Sequence, residues 1–216
     1  AVEQLQNINL LTSSENPLLI AVNDFQGEKS QGDHVVTTLD VELQKVAYEA
    51  LGNRKGAVVA IEPSTGKILA MVSKPDYNPN TIDSVWEKLV EDENEESALV
   101  NRATQGLYPP GSTFKILTAL EFIREREGYA SYRYNCKGRD VFENVVINCY
   151  NGKEHGEESL SESFAKSCNT SFSNIGTMLD KTAWRGLCDA FLFNTELPTV
   201  LPSNASSFVV DETTKD

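Results

Sequence analysis

A serine followed three residues later by a lysine sets a hydroxyl and an amine one helical turn apart on the same face. A neutral amine there can take the hydroxyl proton and leave a nucleophilic oxygen. The 216-residue chain holds three such pairs: Ser64 with Lys67, Ser112 with Lys115, and Ser163 with Lys166. Context separates them. The first lies in Glu-Pro-Ser-Thr-Gly-Lys, a turn in which Gly66 works against helical geometry and Lys67 faces solvent. The second follows Pro109-Pro110-Gly111 at the start of a helical pattern, so Ser112 sits near the positive end of a helix while Ile116 and Leu117 bury part of Lys115. Partial burial disfavours the ammonium and lowers its pKa. The third falls inside a helical pattern, where Lys166 reads as a surface residue opposite Phe164 and Cys168.

A second signal is Ser167-Cys168-Asn169, which offers a hydroxyl for proton relay and an amide to grip a substrate carbonyl. Alone it is weak, since Ser14-Glu15-Asn16 matches as well and a polar helix edge explains either. Its position downstream of Ser112 gives it interest.

The elements that must carry these residues are partly legible. Residues 1–34 have weak periodicity and a turn-rich stretch from Asn23 to Asp33, which reads as a connector or the remnant of an upstream module. Val35–Thr38 is β-prone, and Asp40 is placed to cap a helix with Leu43, Val46, Ala47, Ala50 and Leu51 on one face and Gly52 as its stop. Two apolar runs, Ala57–Ile61 and Ile68–Val72, flank the Pro- and Gly-containing turn and predict a hairpin covered on both faces. The acidic stretch from Glu91 to Glu96 reads as a solvated loop or fraying helix. Ile116, Leu117, Leu120 and Ile123 predict a helix ending near Gly128. Residues 129–160 read as irregular. One helix is expected to carry Phe164, Cys168, Ile175 and Leu179, another Trp184, Leu187, Cys188, Phe191 and Leu192. The tail from Pro198 to Asp216 reads as loose.

Composition narrows the function classes. With 32 acidic against 19 basic residues and a net charge of -13, the chain has no electrostatic footprint for nucleic acid. A hydrophobic fraction of 40% lets it bury a core. No run of 18 apolar residues occurs, and the start lacks a basic signal-peptide region, so an anchor or export signal is expected to lie outside this sequence. The four cysteines, Cys136, Cys149, Cys168 and Cys188, form no C-x-x-C unit, and His34 and His155 stand far apart, so the spacing predicts no metal site. Whether Cys136 and Cys149 pair as a disulfide is left open by spacing, while Cys168 and Cys188 fall on apolar helix faces. Trp86 and Trp184 read as packing residues and His155 as a loop residue.

The stretches KGAVVAIEPSTGKILAMVSKPDYNPN (55–80), NRATQGLYPPGSTFK (101–115) and AKSCNTSF (165–172) resemble successive blocks of the penicillin-binding protein transpeptidase domain, most closely the class B, monofunctional type. The resemblance spans about residues 35–180. It implies an α+β, serine-penicillin-recognising fold, with a largely antiparallel sheet between helical layers and only its N-terminal part present. Domain organisation follows: 1–34 as linker or remnant of an upstream module and 35–216 as a partial transpeptidase domain. It also implies a peptidoglycan D,D-transpeptidase in which Ser112 is the nucleophile, Lys115 its base, Ser167 a proton relay and Asn169 a substrate contact, with no cofactor. The partners implied are the D-Ala-D-Ala end of a stem peptide, β-lactams and cell-wall synthesis proteins, on a membrane-anchored parent working outside the cytoplasmic membrane.

The family's third motif, Lys-Thr-Gly, has no match: Lys181-Thr182-Ala183 lacks the glycine, and Thr65-Gly66-Lys67 has the wrong order. The expectation is therefore a truncated domain, with sheet edges needing a partner, self-association or remodelling. Competing readings are a non-catalytic scaffold module, a D,D-carboxypeptidase, and a β-lactamase or β-lactam sensor.

Overall fold

The computed structural model of the chain describes residues 2–11, 17–27, 32–91, 96–142 and 144–210. The described residues fall into two compact units, one formed by residues 1–107 with 198–204, the other by 108–197 with 205–216.

The first unit opens with helices α1 (Val2–Leu5), α2 (Asn7–Leu11) and α3 (Pro17–Gln26). The residues from Asn23 to Gln26 are thus helical rather than turn-like, and 28–31 lie outside the described residues, as do Ser14-Glu15-Asn16 and residues 92–95 of the acidic stretch. Helix α4 (Val41–Leu51) starts as its sequence predicts. The Asp40 carboxylate accepts the Leu43 N–H at 2.9 Å, satisfying an otherwise orphaned donor of the first turn. Strands β1 (Gly56–Ile61) and β2 (Ile68–Lys74) form the expected antiparallel hairpin, from Gly56 opposite Lys74 to Ile61 opposite Ile68. Helix α4 packs Ala47 and Leu51 on Val58, Ala60, Ala70 and Val72. The hairpin's other face is only partly covered, for Val59 and Ile61 are exposed, so the expected double coverage is not seen. The outer edge of β2 is managed instead by side chains: Gln44 both donates to the Met71 carbonyl and accepts its N–H, each at 2.7 Å. Helix α5 (Ile82–Glu91) is the last helix of this unit among the described residues.

The second unit begins with a 3-10 turn, Gly111–Phe114, that runs into α6 (Lys115–Glu125). Residues 129–160, read from sequence as irregular, contain four short strands: β3 (Arg133–Cys136), β4 (Arg139–Phe142), β5 (Val145–Asn148) and β6 (Gly156–Ser159). They pair antiparallel as β3 with β6 and β4 with β5. Four-residue strands with mixed polarity carry too little alternation to register as a period. The single helix expected across 160–179 is two, α7 (Leu160–Ala165) and α8 (Asn169–Thr177), and α9 (Lys181–Ala190) follows. Cys168 consequently sits not on a helix face but at the break, as the N-cap of α8.

The core beneath these helices is Phe122, Tyr132, Leu160, Phe172, Ile175 and Leu179, with Trp184 packed against it. The tail is not loose where it is described: Phe208 stacks 5.1 Å from Phe114 and 5.3 Å from Trp184, and the Asn194 side chain holds both its N–H and its carbonyl. Residues 211–216 lie outside the described residues. Among the described residues no helix is long and apolar enough to cross a membrane.

Candidate active site

Pro109 and Pro110 stiffen the approach to Gly111, whose φ of +56° makes the sharp entry into the 3-10 turn that presents Ser112. Ser112 is exposed, and Lys115, half-buried, opens α6 one turn on, as the sequence predicts. Lys115 Nζ lies 3.3 Å from Ser112 Oγ.

The partners from the distant Ser-Cys-Asn triplet arrive through the break between α7 and α8. Helix α7 ends in a pattern that normally calls for glycine: Cys168 N–H bonds the Ser163 carbonyl at 2.9 Å and Ser167 N–H the Phe164 carbonyl at 3.0 Å. Ser167 takes the left-handed position of this motif, with φ +53°. A buried network holds the bend, for Ser171 Oγ donates to Ser163 Oγ at 2.7 Å and the Tyr132 hydroxyl lies 3.1 Å from Ser171 Oγ. The bend aims Ser167 and Asn169 at Lys115.

Lys115 Nζ donates to the Ser167 carbonyl at 2.8 Å and to Asn169 Oδ1 at 2.7 Å, and lies 3.0 Å from Ser167 Oγ. Ser167 Oγ in turn donates to Ser112 Oγ at 2.9 Å. The direct path from Ser112 to Lys115 is thus matched by a relay of two shorter links through Ser167. Asn169 is oriented at both ends, since its Nδ2 donates to the Asn148 carbonyl at 2.9 Å at the end of β5. Burial lowers the Lys115 pKa from the ordinary lysine value, with a smaller opposing pull from charge at Cys168 and Cys149. The Phe172 ring, 5.6 Å from Nζ, is part of that dry wall. Lys115 and Asn169 also border a cavity of about 640 Å³ whose other walls include Val145, Val146, Phe172 and Trp184.

All four sequence-predicted residues, Ser112, Lys115, Ser167 and Asn169, therefore converge. The other two serine-lysine pairs do not form such a site: Ser64 and Lys67 are exposed in the hairpin turn, while Ser163 is buried against Ser171 and Lys166 turns to the His155 carbonyl and Glu158. Lys181-Thr182-Ala183 opens α9 behind the Asp180 cap. Sequence reasoning missed Asn148, which acts through its carbonyl and leaves no side-chain signal, and Phe172, which the three-residue spacing from Asn169 would have flagged. It also found no metal spacing, yet Cys136, Cys149, His155 and Cys168 bring their ligating atoms within 4.8 Å of one another.

A serine, a lysine with depressed pKa and a second serine linked in a ring, with an asparagine held on the lysine, are the group types that acyl transfer of the serine-lysine kind requires. Residues 56–215 match the family model of the penicillin binding protein transpeptidase domain, and the chain belongs to that family. It is 35% identical over 193 residues to the peptidoglycan D,D-transpeptidase PbpA of Mycolicibacterium smegmatis, covering 82% of this chain and 39% of that protein. Penicillin-binding protein A from M. tuberculosis, solved as its imipenem acyl-enzyme complex, superposes with a TM-score of 0.82 at 31% identity, covering 96% of this chain and 52% of that one. The D,D-transpeptidase domain of a peptidoglycan glycosyltransferase from Eggerthella lenta gives a TM-score of 0.78 at 28% identity, covering 93% of this chain and 49% of that one. The antiparallel, mixed helix and sheet fold expected from the sequence is thus borne out, while the chain spans about half the length of the proteins it matches or less.

Proposed function

We propose that this chain carries the nucleophile-bearing part of a peptidoglycan D,D-transpeptidase, with residues 35–216 as part of the transpeptidase domain and 1–34 as a connector. The observation that carries the reading is the closed ring of hydrogen bonds joining Ser112, Lys115 and Ser167, with Asn169 held on Lys115. Ser112 Oγ attacks the carbonyl of the penultimate D-alanine of a stem peptide. Its proton passes to Lys115, directly or through Ser167, and then to the departing D-alanine amine as the C–N bond breaks. An amine from a second strand attacks the ester, forms the cross-link and returns the proton to Ser112. The Ser112 N–H at the start of the 3-10 turn supplies one oxyanion donor. Asn169, oriented by Asn148, grips the peptide amide. A β-lactam enters by the same attack, its ring nitrogen taking the proton as the ring opens. The substrate and the relatives' roles in wall synthesis support a working place outside the cytoplasmic membrane, on a membrane-anchored parent and among cell-wall synthesis proteins.

Intact-protein mass spectrometry after incubation with benzylpenicillin tests this. One stable adduct is expected, absent from Ser112→Ala. A Ser112-independent adduct would overturn the assignment. No adduct on this chain, together with one on a longer version containing a Lys-Thr-Gly strand, would locate the missing contribution in that strand; none on either would leave a scaffold role.

A further inference from the structure

Acyl transfer at Ser112 engages only one edge of the adjoining cavity. The volume of about 640 Å³ falls in the range of about 300–1,000 Å³ usual for small-molecule sites. On the catalytic side the walls are Lys115 and Asn169, and Lys115 Nζ stands 3.3 Å from Ser112 Oγ. Ser112 itself is not part of the lining. The cavity therefore begins one step away from the attacked carbonyl, and a group that fills it belongs to a part of the acyl donor further along its chain.

Asn169 gives the direction. Its Oδ1 accepts from Lys115, and one hydrogen of its Nδ2 goes to the Asn148 carbonyl. The second Nδ2 hydrogen is then the donor for a substrate carbonyl. An amide held there carries its next substituent past Asn169, where α8 continues the wall. Phe172 and Gly176 follow Asn169 on the same face of this helix. Glycine is a poor helix former, so local preference does not explain its place inside α8. What its missing side chain leaves is room: a Cβ there would meet the Trp184 ring at 3.9 Å, an ordinary contact. Trp184 is itself fixed between Phe114 and Phe208, at ring-centroid separations of 5.9 and 5.3 Å. Val145 and Val146 open β5 and add aliphatic wall, although both are exposed. Covering such surface with an apolar group is favourable.

We propose that this cavity is the subsite for an apolar side chain of the acyl donor. In a β-lactam the occupant is the substituent carried by the acylamino group; in a stem peptide it is the aliphatic side chain of the residue joined through the amide that Asn169 holds. The subsite presupposes the acylation of Ser112 proposed above and adds to it a preference among donors. Asn169 fixes the amide, and the walls beyond it favour a large apolar group over a small one.

The test compares the rate of Ser112 acylation by benzylpenicillin with that by 6-acetamidopenicillanic acid, which keeps the β-lactam and the amide but lacks the phenyl group. Mass spectrometry follows both adducts over time. Wild-type protein is expected to prefer benzylpenicillin by at least about tenfold, the lower end of what an apolar group is worth in a hydrophobic pocket. Gly176→Leu places a better helix former in α8 and an isobutyl group in the cavity, and should abolish the preference. Val146→Asn, at an exposed position outside the core, should reduce it as well. The preference is a ratio within one protein, so a general loss of activity cancels. Equal rates on the wild-type protein would overturn the subsite and leave the cavity as a packing surface for another stretch of protein. A preference undiminished in the folded variants would overturn it too. Absence of a Ser112 adduct with either compound would instead overturn the acylation reading, and the subsite with it.

Discussion

Ser167 answers two demands that pull in different directions. The end of α7 wants glycine at its left-handed position, and the chemistry wants a hydroxyl between Ser112 and Lys115. An L-residue in that conformation costs about 1–2 kcal/mol, a strain of the kind often retained at functional sites. Ser167→Gly and Ser167→Ala both remove the hydroxyl, so both should slow penicillin acylation by about 10²-fold or more. They should differ in stability, with the glycine variant the more stable by about 1 kcal/mol in urea denaturation; the reverse order would mean that the left-handed backbone is not imposed by the fold. Lys115 makes a separate prediction. Its burial-lowered pKa favours the neutral base, so the acylation rate should rise with pH through a midpoint below that of an ordinary lysine. A stopped-flow pH profile with its midpoint at or above 10.5 would contradict this.

At the scale of elements, α7 is six residues long and depends on its ends. Ser159 and Glu162 form a reciprocal capping box: Ser159 Oγ accepts the Glu162 N–H at 3.3 Å, and Glu162 accepts the Ser159 N–H at 2.8 Å. Ser159→Ala should cost about 1 kcal/mol by chemical denaturation. The Ser159 N–H and hydroxyl hold the Glu162 pKa below its ordinary value. A depressed carboxylate contributes stability above the unfolded pKa and loses it as pH falls through the folded one, so Glu162→Gln should flatten that acid limb. The hairpin and the Asp40-capped helix were legible in sequence because each rests on neighbours within a few residues. The break at 166–168 was not. Its 3.6-residue pattern runs straight through, and the bend is imposed by Tyr132 and Lys115, which lie far away in sequence.

For the molecule as a whole, the core of the second unit is the floor of the site. Phe122, on the helix that Lys115 begins, packs edge-on to Tyr132 at 5.3 Å, and Tyr132 bonds the network that bends the chain at Ser167. Phe122→Ala should therefore cost about 3–5 kcal/mol and lower acylation before global unfolding, read by adduct formation across a temperature ramp; acylation persisting up to the unfolding midpoint would uncouple core from site. By itself, sequence determined what is local: the one-turn spacing of Ser112 and Lys115, the Asp40 cap, the hairpin, and the family blocks that single out Ser167 and Asn169. Only tertiary structure decided which serine-lysine pair gains partners, because Ser167 and Asn169 reach Lys115 from 52 and 54 residues away. It alone gathered Cys136, Cys149, His155 and Cys168, whose spacing shows no motif. Such convergence is set by how short strands and broken helices pack over a common core, a long-range balance of burial and satisfied hydrogen bonds that no local pattern encodes.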